Sequence, residues 1–196
     1  VNKNNNYSFS QEYFDTIQLY KKLHSEGTKK LSPQQTFAGH SLMSWGLKIK
    51  QIIDITKSNS ITDFGCGKAL GHTHKVRFKQ TIYQNLADYW NIEFVQLYDP
   101  GVKEFDCFPS ERTDGVICTD VLEHIPNKDV KFFIDQLYSL SKKFLFVVIA
   151  TIPASKFFED GRNIHLTLKH EEEWNSIFKT INAKYPEIQT FTELNN

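Results

Sequence analysis

Apolar residues recur along the chain with two alternating periods. Tyr13, Ile17, Tyr20 and His24 share one face of a predicted helix, with Ser8 and Gln11 spaced as a capping box and Gly27 closing it. Gly27 to Gln35 reads as loop, and Leu42, Trp45, Ile49, Ile52 and Ile53 mark a second helix. Residues 60–64, bounded by Gly65, form a short strand. Phe78, Ile82, Leu86 and Tyr89 then fall in helical phase, which predicts a long helical stretch reaching about Trp90. Glu93 to Tyr98 and Gly115 to Thr119 read as strands, and Val130, Phe133, Ile134, Leu137 and Leu140 as an amphipathic helix begun by Asn127 or Asp129. Phe144 to Ala150 is apolar at every position, the pattern of a central strand in a parallel sheet. Ile164, Leu166 and Leu168 alternate like a short edge strand. A last helix carries Trp174, Ile177, Phe178 and Ile181, and Ile188 to Thr192 reads as a last strand. Strands alternating with helices predict an α/β fold with a mostly parallel sheet and a ligand site at the strands' carboxyl ends.

Composition narrows the function classes. The 196 residues suit one domain, and 23 Lys+Arg against 23 Asp+Glu argue against an extended nucleic-acid wrapper. No apolar run approaches the roughly 20 residues of a membrane helix. The polar start, Val1 to Asn6, is unlike a signal peptide, and the lone Met43 fits a processed or partial chain. Three cysteines without a CxxC disfavour a disulfide framework or zinc ribbon and suit a reducing cytoplasm.

The segment Asp63-Phe64-Gly65-Cys66-Gly67-Lys68 runs from a strand through a glycine turn toward a helix. Glycines serve where backbone turns sharply or must approach a ligand. Asp63 would repel a pyrophosphate and suits a ligand bearing an ammonium group. The plain alternative is an ordinary turn. Tyr98-Asp99-Pro100 ends the next strand, where a carboxylate can accept from ribose hydroxyls; an Asp-Pro-Gly turn needs no ligand. A third strand end carries Thr119 and Asp120, followed by Leu122-Glu123-His124-Ile125. The plain alternative for Glu123 and His124 is a helix-entry turn that packs Leu122 and Ile125 and solvates the rest, the reading favoured for His124. His72 and His74, two apart, read as solvated residues at a helix start, since no third ligand accompanies them. No metal set is expected. Cys66 could have a lowered thiol pKa at a helix start, but packing of a small side chain is preferred.

Asp63-Phe64-Gly65-Cys66-Gly67, Tyr98-Asp99-Pro100 and Val121-Leu122-Glu123-His124-Ile125 together resemble the class I S-adenosylmethionine-dependent methyltransferases. The nearest likeness is to small members from phages and aquatic bacteria. It includes Tyr20 and His24 on the first helix, Phe37-Ala38-Gly39-His40-Ser41-Leu42, and Gly161-Arg162-Asn163-Ile164-His165. It spans roughly residues 13–175. The resemblance implies a Rossmann-like sheet with an N-terminal helical cap or lid over 1–58 and a cofactor-binding core over 59–196. The 15 residues between Asp99 and Gly115 and the 27 after Lys169 depart from the family and predict a sheet reduced in the third strand and at the C-terminus. The resemblance also implies that Gly65, Cys66 and Gly67 line the methionine portion of S-adenosylmethionine, with Asp63 near its amino group and Asp99 on its ribose. Asp106, Cys107 and Phe108 would lie toward the adenine, and Cys118 and Asp120 close to the sulfonium. Asp120 and His165 are the candidate bases, His165 having the alternative of a surface histidine beside Arg162. Ala69 stands where the family has a third glycine.

In such an enzyme the methyl moves by in-line displacement, so the protein chiefly orients its reactants. The acceptor is left open among a nucleobase, tRNA, a sugar and a small metabolite. A host-cell cytoplasm is expected if the chain is phage-encoded. An S-adenosylmethionine-cleaving enzyme and a non-catalytic binding module are the rival readings on the same scaffold.

Overall fold

The computed structural model describes residues 8–28, 31–37 and 39–195. The polar start and Ala38 of the Phe37–Leu42 motif lie outside them. The chain builds α1 (Gln11–Glu26), α2 (His40–Ser44), α3 (Gly46–Thr56), β1 (Ser60–Phe64), α4 (Leu70–Thr73), β2 (Val76–Phe78), β3 (Thr81–Tyr83) and α5 (Leu86–Trp90). There follow β4 (Phe94–Tyr98), β5 (Thr113–Thr119), α6 (Val130–Leu140), β6 (Ser141–Ala150), α7 (Glu171–Asn182) and β7 (Gln189–Asn195).

Five strands form one parallel sheet in the order β4-β1-β5-β6-β7. Side chains alternate between its faces, so the continuous apolar run of β6 feeds two cores at once. Leu145, Val147 and Ile149 pack with Val116 and Cys118 against α6 and α7. Phe144, Phe146 and Val148 pack with Ile61 and Ile117 against α3 and α5. Each fully buried aliphatic or aromatic side chain contributes about 1.5–3 kcal/mol, so these two faces hold the sheet between its helical layers.

The chain from Asp99 to β5 carries a 3₁₀ turn at Lys103–Phe105 and no α-helix. Among the described residues the sheet ends at β4. β5 itself is a full strand of seven residues at the sheet's centre. At the other edge, β7 runs parallel to β6 rather than folding back as a hairpin.

Three sequence expectations are corrected. The long helix before Trp90 is a short helix, a hairpin and a second short helix. The helical spacing is coincidental: Ile82 is exposed on the hairpin, and Phe78 reaches Tyr89 of α5 across space, with ring centroids 3.6 Å apart. The edge strand at Ile164–Leu168 is irregular chain, because the N–H groups of Leu166 and Thr167 donate to the Glu123 carbonyl. The first helix is capped by Ser10, not Ser8: its hydroxyl accepts from the Tyr13 N–H at 3.3 Å.

Ser10 also fixes α1 in space. Its N–H and hydroxyl donate to the two carboxylate oxygens of Asp129 at 2.8 and 2.6 Å. Asp129 thus precedes α6, as the sequence suggests, but spends its side chain on α1.

Candidate functional site

At the carboxyl ends of β1, β4, β5 and β6 lies a cavity of about 510 Å³, roofed by α1 and the segment around Phe37. That volume falls within the usual range for small-molecule sites, about 300–1,000 Å³.

The glycine turn forms its floor. Gly65 and Cys66 donate their N–H groups to the Tyr98 carbonyl at 2.7 and 3.1 Å, joining the ends of β1 and β4. Gly67 has φ +55°, and a Cβ there would stand 2.4 Å from the Phe37 carbonyl oxygen. At Gly65 a Cβ would meet a Val121 methyl at 2.3 Å. Both glycines are therefore required by the protein's own packing as well as lining the cavity. The same Phe37 carbonyl accepts from the Lys68 N–H at 3.1 Å, while the Lys68 ammonium donates to the carbonyls of Thr36 and His24 at 2.9 and 3.3 Å. Burial lowers the Lys68 pKa.

Asp99 faces the cavity from the end of β4. One carboxylate oxygen accepts from the Gly67 N–H and the other from the Gly101 N–H, each at 2.8 Å. Burial raises its pKa, and these two hydrogen bonds oppose the rise. His24 of α1 brings Nε2 to 3.9 Å from Asp99. Burial, aided by the Lys68 charge, holds His24 down at about 4, so it is neutral beside that carboxylate.

Asp63 lines the cavity but is committed elsewhere: its carboxylate bonds His72 Nε2 at 2.9 Å, with both side chains buried. His72 is therefore not a solvated helix-start residue; the first turn of α4 carries it inward to Asp63. His74 is exposed, as expected.

The end of β5 supplies the most unusual group. Asp120 is held at φ +55°, a left-handed conformation that costs a non-glycine residue of order 1 kcal/mol. Its N–H donates to Val148 at 2.9 Å, and its Oδ1 is buried without a partner. Next to it Glu123 is fully buried. Oε1 accepts from the Ala150 N–H at 3.1 Å and Oε2 has no partner. Burial, with the Asp120 charge adding, lifts Glu123 to about 8.

His124 and His165 meet nearby, ring centroids 4.9 Å apart. His124 Nδ1 lies 2.9 Å from the Ile164 carbonyl and 2.7 Å from the Tyr20 hydroxyl, which itself donates to that carbonyl at 2.7 Å. A carbonyl only accepts, so Nδ1 carries the proton and Nε2 a lone pair. Burial lowers the His124 pKa to about 3. His165 Nδ1 lies 2.6 Å from the Ile152 carbonyl and is protonated by the same logic. The Asn163 side chain clamps this loop: it exchanges two hydrogen bonds with the Ala154 backbone, at 3.1 and 2.8 Å, and accepts from the His165 N–H at 2.9 Å. One ligand atom each of Glu123, His124 and His165 lies within 4.8 Å of the other two.

Of the residues singled out by sequence, Asp63, Gly65, Cys66, Gly67, Asp99, Asp120 and His165 line the cavity. Four do not. Asp106, Cys107 and Phe108 are exposed on the connection between β4 and β5, which has no α-helix to turn them inward. Cys118 is buried in the core between the sheet and α6, because its position on β5 points to that face. Burial pushes the thiols of Cys66 and Cys118 up, away from thiolate chemistry. His124, read from sequence as the solvated side of a turn, is half-buried on the cavity wall, and Glu123, for which that turn was the plain alternative, is buried there. Searches against protein-family models, curated proteins and solved structures find no match for this chain.

Proposed function

We propose that the protein is a class I, Rossmann-like methyltransferase that moves a methyl group from S-adenosylmethionine to a small-molecule, nucleobase or sugar acceptor. The observation that carries this reading is the junction of Gly67 with Asp99. A glycine turn after the first strand and an acid at the end of its neighbour meet by a direct hydrogen bond on the wall of a ligand-sized cavity. Ligands of open parallel sheets bind at such strand ends.

The residues fit the cofactor with one revision. Each Asp99 oxygen accepts one backbone N–H and keeps a second lone pair, enough for two ribose hydroxyls. Gly65 and Gly67 offer backbone without side chains for the methionine portion. The ammonium group is better matched by Asp120, whose Oδ1 lacks a partner, than by Asp63, which His72 already satisfies. S-adenosylmethionine supplies an activated methyl on sulfur, and the chain's part is to orient, desolvate and accept a proton. Asp120 and His165 both line the cavity, and in this reading they are the groups that would accept an acceptor's proton.

Methyl-labelled S-adenosylmethionine tests the proposal against the cleavage and binding-module alternatives. Label recovered on an added or co-purified acceptor is the expected result. Label confined to cofactor fragments would mean cleavage. Binding without turnover over a broad acceptor panel would favour a binding module, and failure to bind S-adenosylhomocysteine by calorimetry would overturn the reading altogether.

A further inference from the structure

We propose that Glu123, His124 and His165 form a binding site for one divalent transition-metal ion, with open coordination positions facing the cavity. Two histidines and a carboxylate are a recurrent ligand set for zinc, iron and manganese sites that keep room for substrate. Four features of the chain converge on it.

The first is proximity: a ligand atom from each of the three residues lies within 4.8 Å of the others, so small side-chain movements would bring them onto a common ion. The second is tautomer. Both histidines spend Nδ1–H on backbone carbonyls, of Ile164 and Ile152. Metal-bound histidines are characteristically oriented in this way by the other nitrogen, leaving Nε2 to coordinate. The third is an unpartnered acid group. Glu123 is fully buried with Oε2 bare, and a buried polar atom is nearly always partnered, so that oxygen marks a place for a ligand. Lys156 lines the same cavity, but its ammonium sits over the Phe37 ring, 5.5 Å from the centroid. The fourth is rigidity. Asn163 clamps the loop bearing His165, and the Leu166 and Thr167 N–H groups bind the Glu123 carbonyl. Ligands from the β5 end and from the loop after β6 are thereby held together without metal.

The site stands without the methyl-transfer reading, since it rests on these three residues alone. Combined with that reading it narrows the acceptor to an oxygen nucleophile, because an ion in this position would bind a hydroxyl and lower its pKa. His165 would then act as an ion ligand and not as a free base.

The test uses the full chain, stripped with chelator and free of S-adenosylmethionine. Titration with Co²⁺ should give a saturable visible absorption band at one equivalent, displaced by Zn²⁺, and Zn²⁺ should raise the melting temperature. His165→Ala and the isosteric Glu123→Gln should each weaken Co²⁺ binding at least about a hundredfold and abolish the Zn²⁺ shift. His74→Ala, on the exposed histidine, should change neither. Circular dichroism establishes that each variant is folded, and Glu123→Gln keeps the test open if His165→Ala does not fold. Absence of saturable Co²⁺ binding, or binding that persists unchanged in both Glu123→Gln and His165→Ala, would overturn the site. S-adenosylhomocysteine binding by the metal-free protein is measured separately, so that failure of one reading is distinguishable from failure of the other.

Discussion

Asp99 accepts a hydrogen bond from the Gly67 N–H at 2.8 Å, so the acid that ends β4 holds the turn that follows β1. This one contact gives Asp99 two consequences when it is lost. Asp99→Ala should reduce affinity for S-adenosylhomocysteine at least about tenfold, since hydrogen bonds to charged groups are worth about 1.5–3 kcal/mol each. It should also speed amide exchange at Gly67 and Gly101, whose donors lose their acceptor. Titration calorimetry and hydrogen exchange check the two effects separately. Unchanged affinity in a folded variant would remove Asp99 from the cofactor site.

Gly67 carries a second constraint, because the Phe37 carbonyl fills the space a Cβ would need. Gly67→Ala should therefore do more than crowd a ligand. The strained φ costs about 1–2 kcal/mol, and the methyl would push Phe37 off the turn. The expected outcome is a lower melting temperature together with faster exchange of the Lys68 N–H, which donates to Phe37. Loss of cofactor binding with stability and Lys68 exchange unchanged would mean that ligand clearance alone explains the glycine.

His72→Ala should leave the Asp63 carboxylate buried without its partner at 2.9 Å. Removing one member of a buried pair typically costs about 3–5 kcal/mol. For a chain of this size each kcal/mol shifts the melting temperature by roughly 2–4 °C. Thermal denaturation should thus show a fall of about 6 °C or more, partly restored in His72→Gln. A fall no larger than that of His74→Ala would mean that the pair does not support the fold.

The alternating βα order was legible because β6 and α6 carry unambiguous apolar patterns. The β2–β3 hairpin was not. Its turn, Lys79-Gln80, lacks the glycine or asparagine that marks tight hairpins, although Lys79 adopts φ +54°. Phe78, Ile82, Leu86 and Tyr89 happen to match helical spacing, and local sequence cannot reveal that Phe78 stacks on Tyr89. The glycine turn, Asp99 and Asp120 were readable as a constellation because all three sit at strand ends. The Glu123–His124–His165 cluster was not, because His165 lies 41 residues beyond His124 in irregular chain. The Asp63–His72 pair was hidden in the same way, since four-residue α4 gives too little periodicity to tell its buried face from its exposed one.

His24 gives the fold a pH dependence of defined sign. Its folded pKa of about 4 lies below the model-peptide value of 6.5. Above pH 6.5 it is neutral in both states. Between 6.5 and 4 the unfolded chain binds a proton that the native chain refuses, so stability falls as pH falls, by up to about 3 kcal/mol. Asp99, 3.9 Å away and raised by burial, works in the opposite sense above 3.8. Denaturant melts of the wild type and His24→Gln at pH 7 and pH 4.5 isolate the histidine. The variant should lose less stability on acidification. Parallel losses in the two proteins would mean that His24 is not held neutral.

The roof over the cavity divides into two parts with different restraints. α1 is bound to the core along its length: Ser10 to Asp129, Tyr20 to Ile164, and the His24 carbonyl to Lys68. Tyr13, Tyr20 and Leu23 are buried beneath it. Residues 31–37 and 39–42 form the second part, in which Thr36 is buried and the Phe37 ring packs on Tyr20 and His24. This part reaches the glycine turn through the Phe37 carbonyl and the Thr36 carbonyl, both on Lys68. A ligand at Asp99 and Gly67 would contact that turn and so stabilise the segment resting on it. Hydrogen exchange with and without S-adenosylhomocysteine should show α1 amides equally protected in both states and amides within 31–42 gaining protection only with ligand. Equal protection of 31–42 in both states, with binding established by calorimetry, would make the whole roof static. A gain across α1 of the same size would instead make the helix part of a closing lid, despite its bonds to Asp129 and Ile164.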